Sequence, residues 1–213
     1  MLYPKIDTLF ERDENHKVIE GKIRNPIFNL IKKWEFTEKL DGTNIRIEYE
    51  PSLSELKINY GGRTESAQLP TGIVNYLNKF YWEDKLLSIF GDKKVTLFGE
   101  GIGPNIQNGG LYCETQQVVI FDICVDEKYW LTIDSIKEIC NKIGIRHIVR
   151  IKEYSLDEVI DLVKNGFRSC FFWKEPMSSD HPMSEGIIGK TNPPIFDNQG
   201  KRIMFKLKTK DFK

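Results

Sequence analysis

Nine consecutive residues, Gln117-Val-Val-Ile-Phe-Asp-Ile-Cys-Val125, are almost all apolar. A run of that length fits a buried strand and is far too short to span a membrane. One departure stands inside it. An acidic side chain in a buried strand is costly unless it is paired or linked to a metal, so Asp122 is expected to have one or the other. Phe121 either packs in the core or offers its ring as a stacking face for a base. Strict alternation predicts that Phe121 and Asp122 point to opposite faces. Asp126-Glu127 then turns the chain into Tyr129-Trp130-Leu131, a hairpin return.

The other elements around this strand are short. Ile27 to Lys33, after Asn25-Pro26, predicts a short helix with Pro26 near its first turn. Apolar residues from Thr71 to Phe90 fall at helical spacing with a break near Tyr81 to Asp84. Ser135-x-x-Glu138 opens a further helix that ends at Gly144, and Ser155-x-x-Glu158 opens another that ends at Gly166. Ile145-Arg146-His147-Ile148-Val149 and Gly166 to Trp173 read as strands, with His147 structural. The pattern is α+β: mostly antiparallel sheets flanked by helices.

Charge narrows the function classes. The 213 residues hold 31 basic and 31 acidic side chains, so bulk electrostatics give no reason to expect a nucleic-acid or membrane partner. Any such binding rests on a local patch. Cys113, Cys124, Cys140 and Cys170 show no Cys-x-x-Cys pair and no zinc spacing, which predicts reduced core thiols. The N-terminus carries no signal-peptide pattern, and no apolar run reaches membrane length. The expectation is a cytoplasmic-type protein, not secreted.

Chemistry concentrates in a few stretches. In Phe36-Thr37-Glu38-Lys39-Leu40-Asp41-Gly42-Thr43-Asn44-Ile45, apolar and polar residues alternate on either side of Asp41-Gly42, which predicts a hairpin with Lys39 at its turn. An amine there becomes a covalent catalyst only after losing its proton. Gly61-Gly62-Arg63-Thr64 is either a plain turn or a close-approach loop whose guanidinium holds phosphate or ribose oxygens. Val95 to Gly103 reads as a strand ending in a glycine-rich turn around Glu100. That acid suits sugar hydroxyls or a hydrated cation, although an ordinary turn residue fits the same pattern. Gly189-Lys190-Thr191 invites a phosphate-loop reading, but position 184 is serine where that motif needs glycine. What remains is a strand that starts at Glu185. Finally, Arg202 to Lys210 alternates so that Lys206, Lys208 and Lys210 share one face and Phe205 and Leu207 the other. Such a strand is either an edge studded with lysines or a cationic rail facing phosphates.

In this order and with these gaps, the stretches resemble the covalent nucleotidyltransferase superfamily of ATP-dependent ligases and capping enzymes. The matching motifs are Lys39-Leu40-Asp41-Gly42, Phe98-Gly99-Glu100-Gly101, Val119-Ile120-Phe121-Asp122-Ile123, Glu185-Gly186-Ile187-Ile188 and Lys206-Leu207-Lys208. DNA ligases and capping enzymes usually carry arginine where Asn44 stands. Glu38-Lys39-x-x-Gly42-Thr43-Asn44, with Gly62-Arg63-Thr64 after it, is similar to the RNA ligase 2 type.

The resemblance implies an ATP-dependent RNA end-joining enzyme with its nucleotide in a cleft between sheets. It implies Lys39 as the nucleophile that forms lysine–AMP, and Lys206, Lys208 and Glu185 as its catalytic partners. ATP would be held by Glu38, Asn44, Arg63, Glu100, Phe121, Lys206 and Lys208, with Phe121 on adenine and Glu38 beside the base. Mg2+ or Mn2+ would be served by Glu185 and Asp122. Asn44 would act later, with RNA 5′-phosphate and 3′-hydroxyl ends, and Asp41 matches the pattern without an assigned contact. The nearby lysines would lower the affinity of Lys39 for its proton by like-charge repulsion. Such ligases normally carry a further C-terminal domain. Residues 1–213 therefore read as a single nucleotidyltransferase domain, expected to be monomeric, to self-adenylylate and to join 5′-phosphate ends weakly or not at all. Three rivals remain: a DNA-nick ligase core, a GTP-using capping-type enzyme, and a nucleotide-binding module without catalysis.

Overall fold

A computed structural model of the chain describes residues 1–151, 154–171 and 181–212. In chain order the elements are β1 (Asp7–Thr8), β2 (Phe10–Arg12), β3 (Val18–Ile23), α1 (Ile27–Leu30), β4 (Glu35–Glu38), β5 (Thr43–Tyr49) and β6 (Ile58–Gly61). Then come α2 (Thr71–Leu77), α3 (Trp82–Phe90), β7 (Val95–Ile102), β8 (Gln117–Val125), β9 (Tyr129–Trp130) and α4 (Ile133–Ile143). The chain ends with β10 (Arg146–His147), α5 (Leu156–Asn165), β11 (Gly186–Lys190), β12 (Met204–Lys208) and a 3-10 turn, Thr209–Phe212. Contacts divide these elements into two compact units: residues 1–4 with 41–148, and residues 5–40 with 149–213. The class is α+β, and all strand pairs are antiparallel except β1 with β12 and β10 with β8.

The first unit is built on the sheet β10-β8-β7-β5-β6, with β9 beside β8. Period-two alternation gives this sheet one apolar face. Ile45, Ile47, Val95, Leu97, Val118, Ile120 and Ile123 are fully buried there, under Ile73 and Leu77 of α2, Leu86 of α3 and Ile143 of α4. The glycines of Phe98-Gly99-Glu100-Gly101 do not form the expected turn. β7 runs through them to Ile102, because they sit where the sheet is crowded. A Cβ at Gly99 would lie 2.6 Å from Val118, and one at Gly101 would lie 3.1 Å from Ile45. Glu100 is thereby turned to the opposite, polar face.

Alternation in β8 is also broken. Phe98 pairs with Asp122 while Gly99 pairs with Ile120, so Phe121 is an extra residue at a register shift. The apolar phase moves from Val118 and Ile120 to Ile123, and Phe121 and Asp122 end on the same face. Both meet Tyr3: its hydroxyl donates to Asp122 at 2.7 Å and its ring centroid lies 5.0 Å from that of Phe121. Strict alternation had placed them on opposite faces. The bulge is what corrects it.

The second unit carries the sheet β1-β12-β11-β4 and the hairpin β2-β3. Its core joins Phe36 of β4, Ile187 of β11, and Phe205 and Leu207 of β12 to Val159 and Val163 of α5, with Phe28 and Trp34 packed edge-to-face beside them. The expected hairpin around Asp41-Gly42 does not form. β4 pairs with β11, whereas β5 pairs with β6 and β7 in the other sheet. Lys210 also leaves its expected rail, since β12 stops at Lys208 and Lys210 lies in the 3-10 turn.

The helices follow their punctuation with one shift. α5 has the capping box of Ser155 and Glu158, but α4 begins at Thr132, whose hydroxyl accepts from the Ser135 amide at 3.2 Å. The strand expected from Gly166 to Trp173 is reduced to a bridge between Arg168 and Met183, and positions 172 and 173 lie outside the described residues. No described helix is long and apolar enough to cross a membrane.

Candidate active site

Lys39 follows directly on β4, and its amide donates to the carbonyl of Gly186 at 2.9 Å, which ties it to the start of β11. Glu185 is the residue before that strand, and Lys208 is the β12 partner of Gly186. Three consecutive pieces of one sheet therefore deliver their side chains to one point. The Lys39 ammonium lies 2.5 Å from Oε2 of Glu185, and the Lys208 ammonium 2.5 Å from Oε1. Side-chain exposures of 22%, 12% and 20% make this a half-buried cluster, so water weakens the pairing less than at an open surface. The lysine-to-lysine repulsion expected from sequence is thus bridged by a carboxylate shared between the two cations. Lys206, on the same face of β12 as Lys208, is half-buried.

Glu38, one residue earlier, is only 2% exposed. Its Oε2 accepts from the Cys170 amide at 2.9 Å and from the Cys170 thiol at 3.0 Å, while Oε1 is buried without a hydrogen-bond donor among the described residues. Burial raises the Glu38 carboxyl above its ordinary 4.5, against the lowering effect of those hydrogen bonds. Cys170, expected in the core, is exposed as a residue, and desolvation of its thiol, then the Glu38 charge, pushes that thiol up to about 12. A carboxyl held high in the folded state favours folding while it is protonated, and that contribution is lost as pH rises through the raised value. Glu38→Gln should therefore gain melting temperature relative to wild type as pH rises from about 4.5 to neutrality, measured by parallel thermal scans. A constant difference across that range would contradict this reading of Glu38.

The remaining sequence-predicted residues lie in the first unit. Asn44 and Glu100 face each other across β5 and β7, on the polar side of the sheet. Asn44 Oδ1 is buried and has no donor among the described residues. Phe121, half-buried, and Asp122, 0% exposed, share that side through the bulge. Arg63 is exposed on the loop after β6. Asp41 now has contacts: its carboxylate accepts from the Asn108 amide group at 2.6 Å and its backbone amide donates to the Tyr112 hydroxyl at 3.3 Å.

Four residues were missed. Tyr3, Asn108 and Cys170 act across long sequence separations that leave no local pattern. Arg46 carried a readable signal, because it shares the polar phase of β5 with Asn44.

For a divalent cation, no three His, Cys, Asp or Glu side chains come together among the described residues. Such an ion would be held by Glu185 with phosphate oxygens and water, which suits magnesium better than a protein cage does. Asp122, fully buried and bonded to Tyr3, is placed to hold the sheet as readily as to serve an ion.

Known proteins share this architecture. The chain overlays a mutant Naegleria gruberi RNA ligase solved with ATP and Mn at a TM-score of 0.65 and 17% identity, covering 99% of this chain and 58% of that one. The same ligase with PPi gives 0.61 and 19%, with 99% and 62% covered, and another mutant with AMP and Mn gives 0.62 and 17%, with 98% and 62% covered. The chain thus spans about three fifths of the solved proteins it matches. No curated protein matches it significantly. The sequence model of the RNA ligase family matches residues 32–208, which include every motif from Lys39 to Lys208, and the chain belongs to that family.

Proposed function

We propose that this chain is the adenylyltransferase core of an ATP-dependent RNA ligase. The observation that carries the reading is the convergence of Lys39 and Lys208 on Glu185 at 2.5 Å each, in a chain of the RNA ligase family. In the first step the Lys39 amine attacks the α-phosphorus of ATP, forming a P–N bond as the P–O bond to pyrophosphate breaks. Lys39 begins as an ammonium paired with Glu185, so its proton must leave before attack. That carboxylate is the group in place to hold the proton. Lys208, paired with Glu185, and Lys206, on the same face of β12, are assigned to neutralise charge on the transferring phosphate, the dominant requirement in phosphoryl chemistry. A divalent cation, when bound near Glu185, supplies further neutralisation of phosphate charge.

Base and ribose recognition falls to other residues. The buried Glu38 acceptor suits the exocyclic amine of adenine, whereas a carbonyl oxygen at the same place would face a carboxylate oxygen. Phe121 offers its ring to the base, and Glu100 and Arg63 their polar groups to ribose and phosphate. In the later steps AMP passes to an RNA 5′-phosphate and a 3′-hydroxyl displaces it. Asn44, with its unsatisfied buried oxygen, is assigned to those steps.

Intact mass spectrometry after incubation with ATP and magnesium or manganese tests the first step: an added AMP is expected. GTP should give a far smaller adduct, and a GTP-only adduct would replace this reading with a capping-type one. Sealing assays with RNA or DNA on the 3′-hydroxyl side decide the substrate. A preference for all-DNA nicks would overturn the RNA assignment.

A further inference from the structure

Arg46 is a cation the proposed reaction leaves unused, yet the fold builds a site around it. Its residue is 2% exposed, and a guanidinium cannot shed its charge, so it requires an anion wherever it is buried. Two carboxylates answer. Nε lies 3.4 Å from Glu48, but Glu48 also accepts from the Met1 amine at 2.7 Å and from Asn59 at 3.1 Å. The two terminal nitrogens form a fork with Glu65: Nη1 donates to Oε1 at 3.1 Å and Nη2 to Oε2.

The two ends of that fork differ. Arg46 is fixed: it lies flat against β6, where a Cβ at Gly61 would fall 2.4 Å from its Nε. Glu65 is 74% exposed, on the loop between β6 and α2. Its carboxylate can rotate into water once another anion takes its place on Arg46, whereas the buried guanidinium cannot follow. The exposed acid is thus the exchangeable partner. Two parallel N–H groups that fit a carboxylate also fit a phosphate, whose greater charge favours the exchange. Arg46 shares the polar face of β5 with Asn44, and Arg63 stands two residues before Glu65 on the same loop.

We propose that Arg46 is a phosphate-binding residue, masked in the resting protein by Glu65, and that a phosphate of a reactant displaces that carboxylate. The phosphate belongs to the nucleotide or to the RNA 5′ end. This rests on the ligase reading only for the identity of the reactant, because the exchange itself is a property of the Arg46–Glu65 pair.

The test measures binding, at one fixed salt concentration, of ATP, inorganic pyrophosphate, and a short RNA with either a 5′-phosphate or a 5′-hydroxyl. Glu65→Gln, a surface change, keeps the shape of the plug and removes its charge. Glu55→Gln, at an exposed site with no hydrogen-bond or ion-pair partner among the described residues, controls for the added net charge. Glu65→Gln is expected to tighten a phosphate-bearing ligand about tenfold beyond the control, leaving 5′-hydroxyl RNA at control level. Tightening confined to 5′-phosphate RNA assigns the site to the RNA end, and tightening of ATP and pyrophosphate assigns it to the nucleotide. Arg46→Gln should erase the gain in the double variant. Equal behaviour of Glu65→Gln and Glu55→Gln with every ligand would overturn the proposal. A protein that forms no AMP adduct but still shows the Glu65→Gln gain would lose the ligase reading and keep the site.

Discussion

Lys39→Arg is expected to abolish the covalent AMP adduct while leaving the fold and the Glu185 cluster in place. Arginine keeps the positive charge and can reach the same carboxylate, so the half-buried pairing persists. It cannot present a neutral nitrogen at accessible pH, because its guanidinium stays protonated. Loss of the nucleophile should therefore cost several orders of magnitude, on the scale of deleting the attacking group in other covalent enzymes. Lys39→Ala should lose the adduct equally, but it also removes one cation from Glu185. Its melting temperature should then shift where that of Lys39→Arg does not. Intact mass and peptide mapping after ATP treatment, with thermal scans on each variant, check both points. AMP found on Lys206 or Lys208 in the Lys39→Arg protein would move the nucleophile and undo the mechanism.

The residues of that experiment were legible in the sequence because their chemistry is local. Lys39-x-Asp41-Gly42, Glu185-Gly186 and Lys206-x-Lys208 are short motifs, and period two correctly turned Lys206 and Lys208 away from Phe205 and Leu207. The pairing of strands was less legible. Asp41-Gly42 is good turn chemistry, but what decides a hairpin is which edges the flanking strands find. β4 finds β11, which lies more than a hundred residues downstream. The glycines around Glu100 misled for a related reason. Glycine marks either a turn or a place where side chains crowd, and only the packing of Val118 and Ile45 shows which. The bulge at Phe121 had no sequence signature, yet it sets the face on which two candidate residues stand. Asp122 shows the limit of burial arguments. The expectation that a buried acid needs a partner held, and the Tyr3 hydroxyl, 119 residues away, is one that local reasoning could not name.

Gly186→Ala is expected to be the most damaging small substitution in the second unit, lowering stability by about 3–5 kcal/mol. Two costs combine. The residue sits at φ +150, a conformation that side chains avoid, and this strain is worth on the order of 1–3 kcal/mol. The added methyl would also lie 2.1 Å from the backbone carbonyl oxygen of Leu207 and 2.7 Å from the Lys208 Cα. No rotamer relieves a clash with backbone, so β11 and β12 must part where Glu185 and Lys208 meet. For a chain of this size each kcal/mol moves the melting temperature by roughly 2–4 °C, which predicts a fall of about 6–20 °C. Adduct formation should drop at least about tenfold even at temperatures where the variant is folded, because the cluster around Lys39 is pulled open. Gly200→Ala separates strain from overlap: its φ of +75 is also unfavourable, but a Cβ there meets nothing within 4 Å. That variant should lose only about 1 kcal/mol and keep full adduct formation. Equal losses of stability in the two proteins would show that backbone strain alone governs Gly186. A Gly186→Ala protein that forms the adduct at the normal rate would show that the β11–β12 contact does not hold the reacting lysine in place.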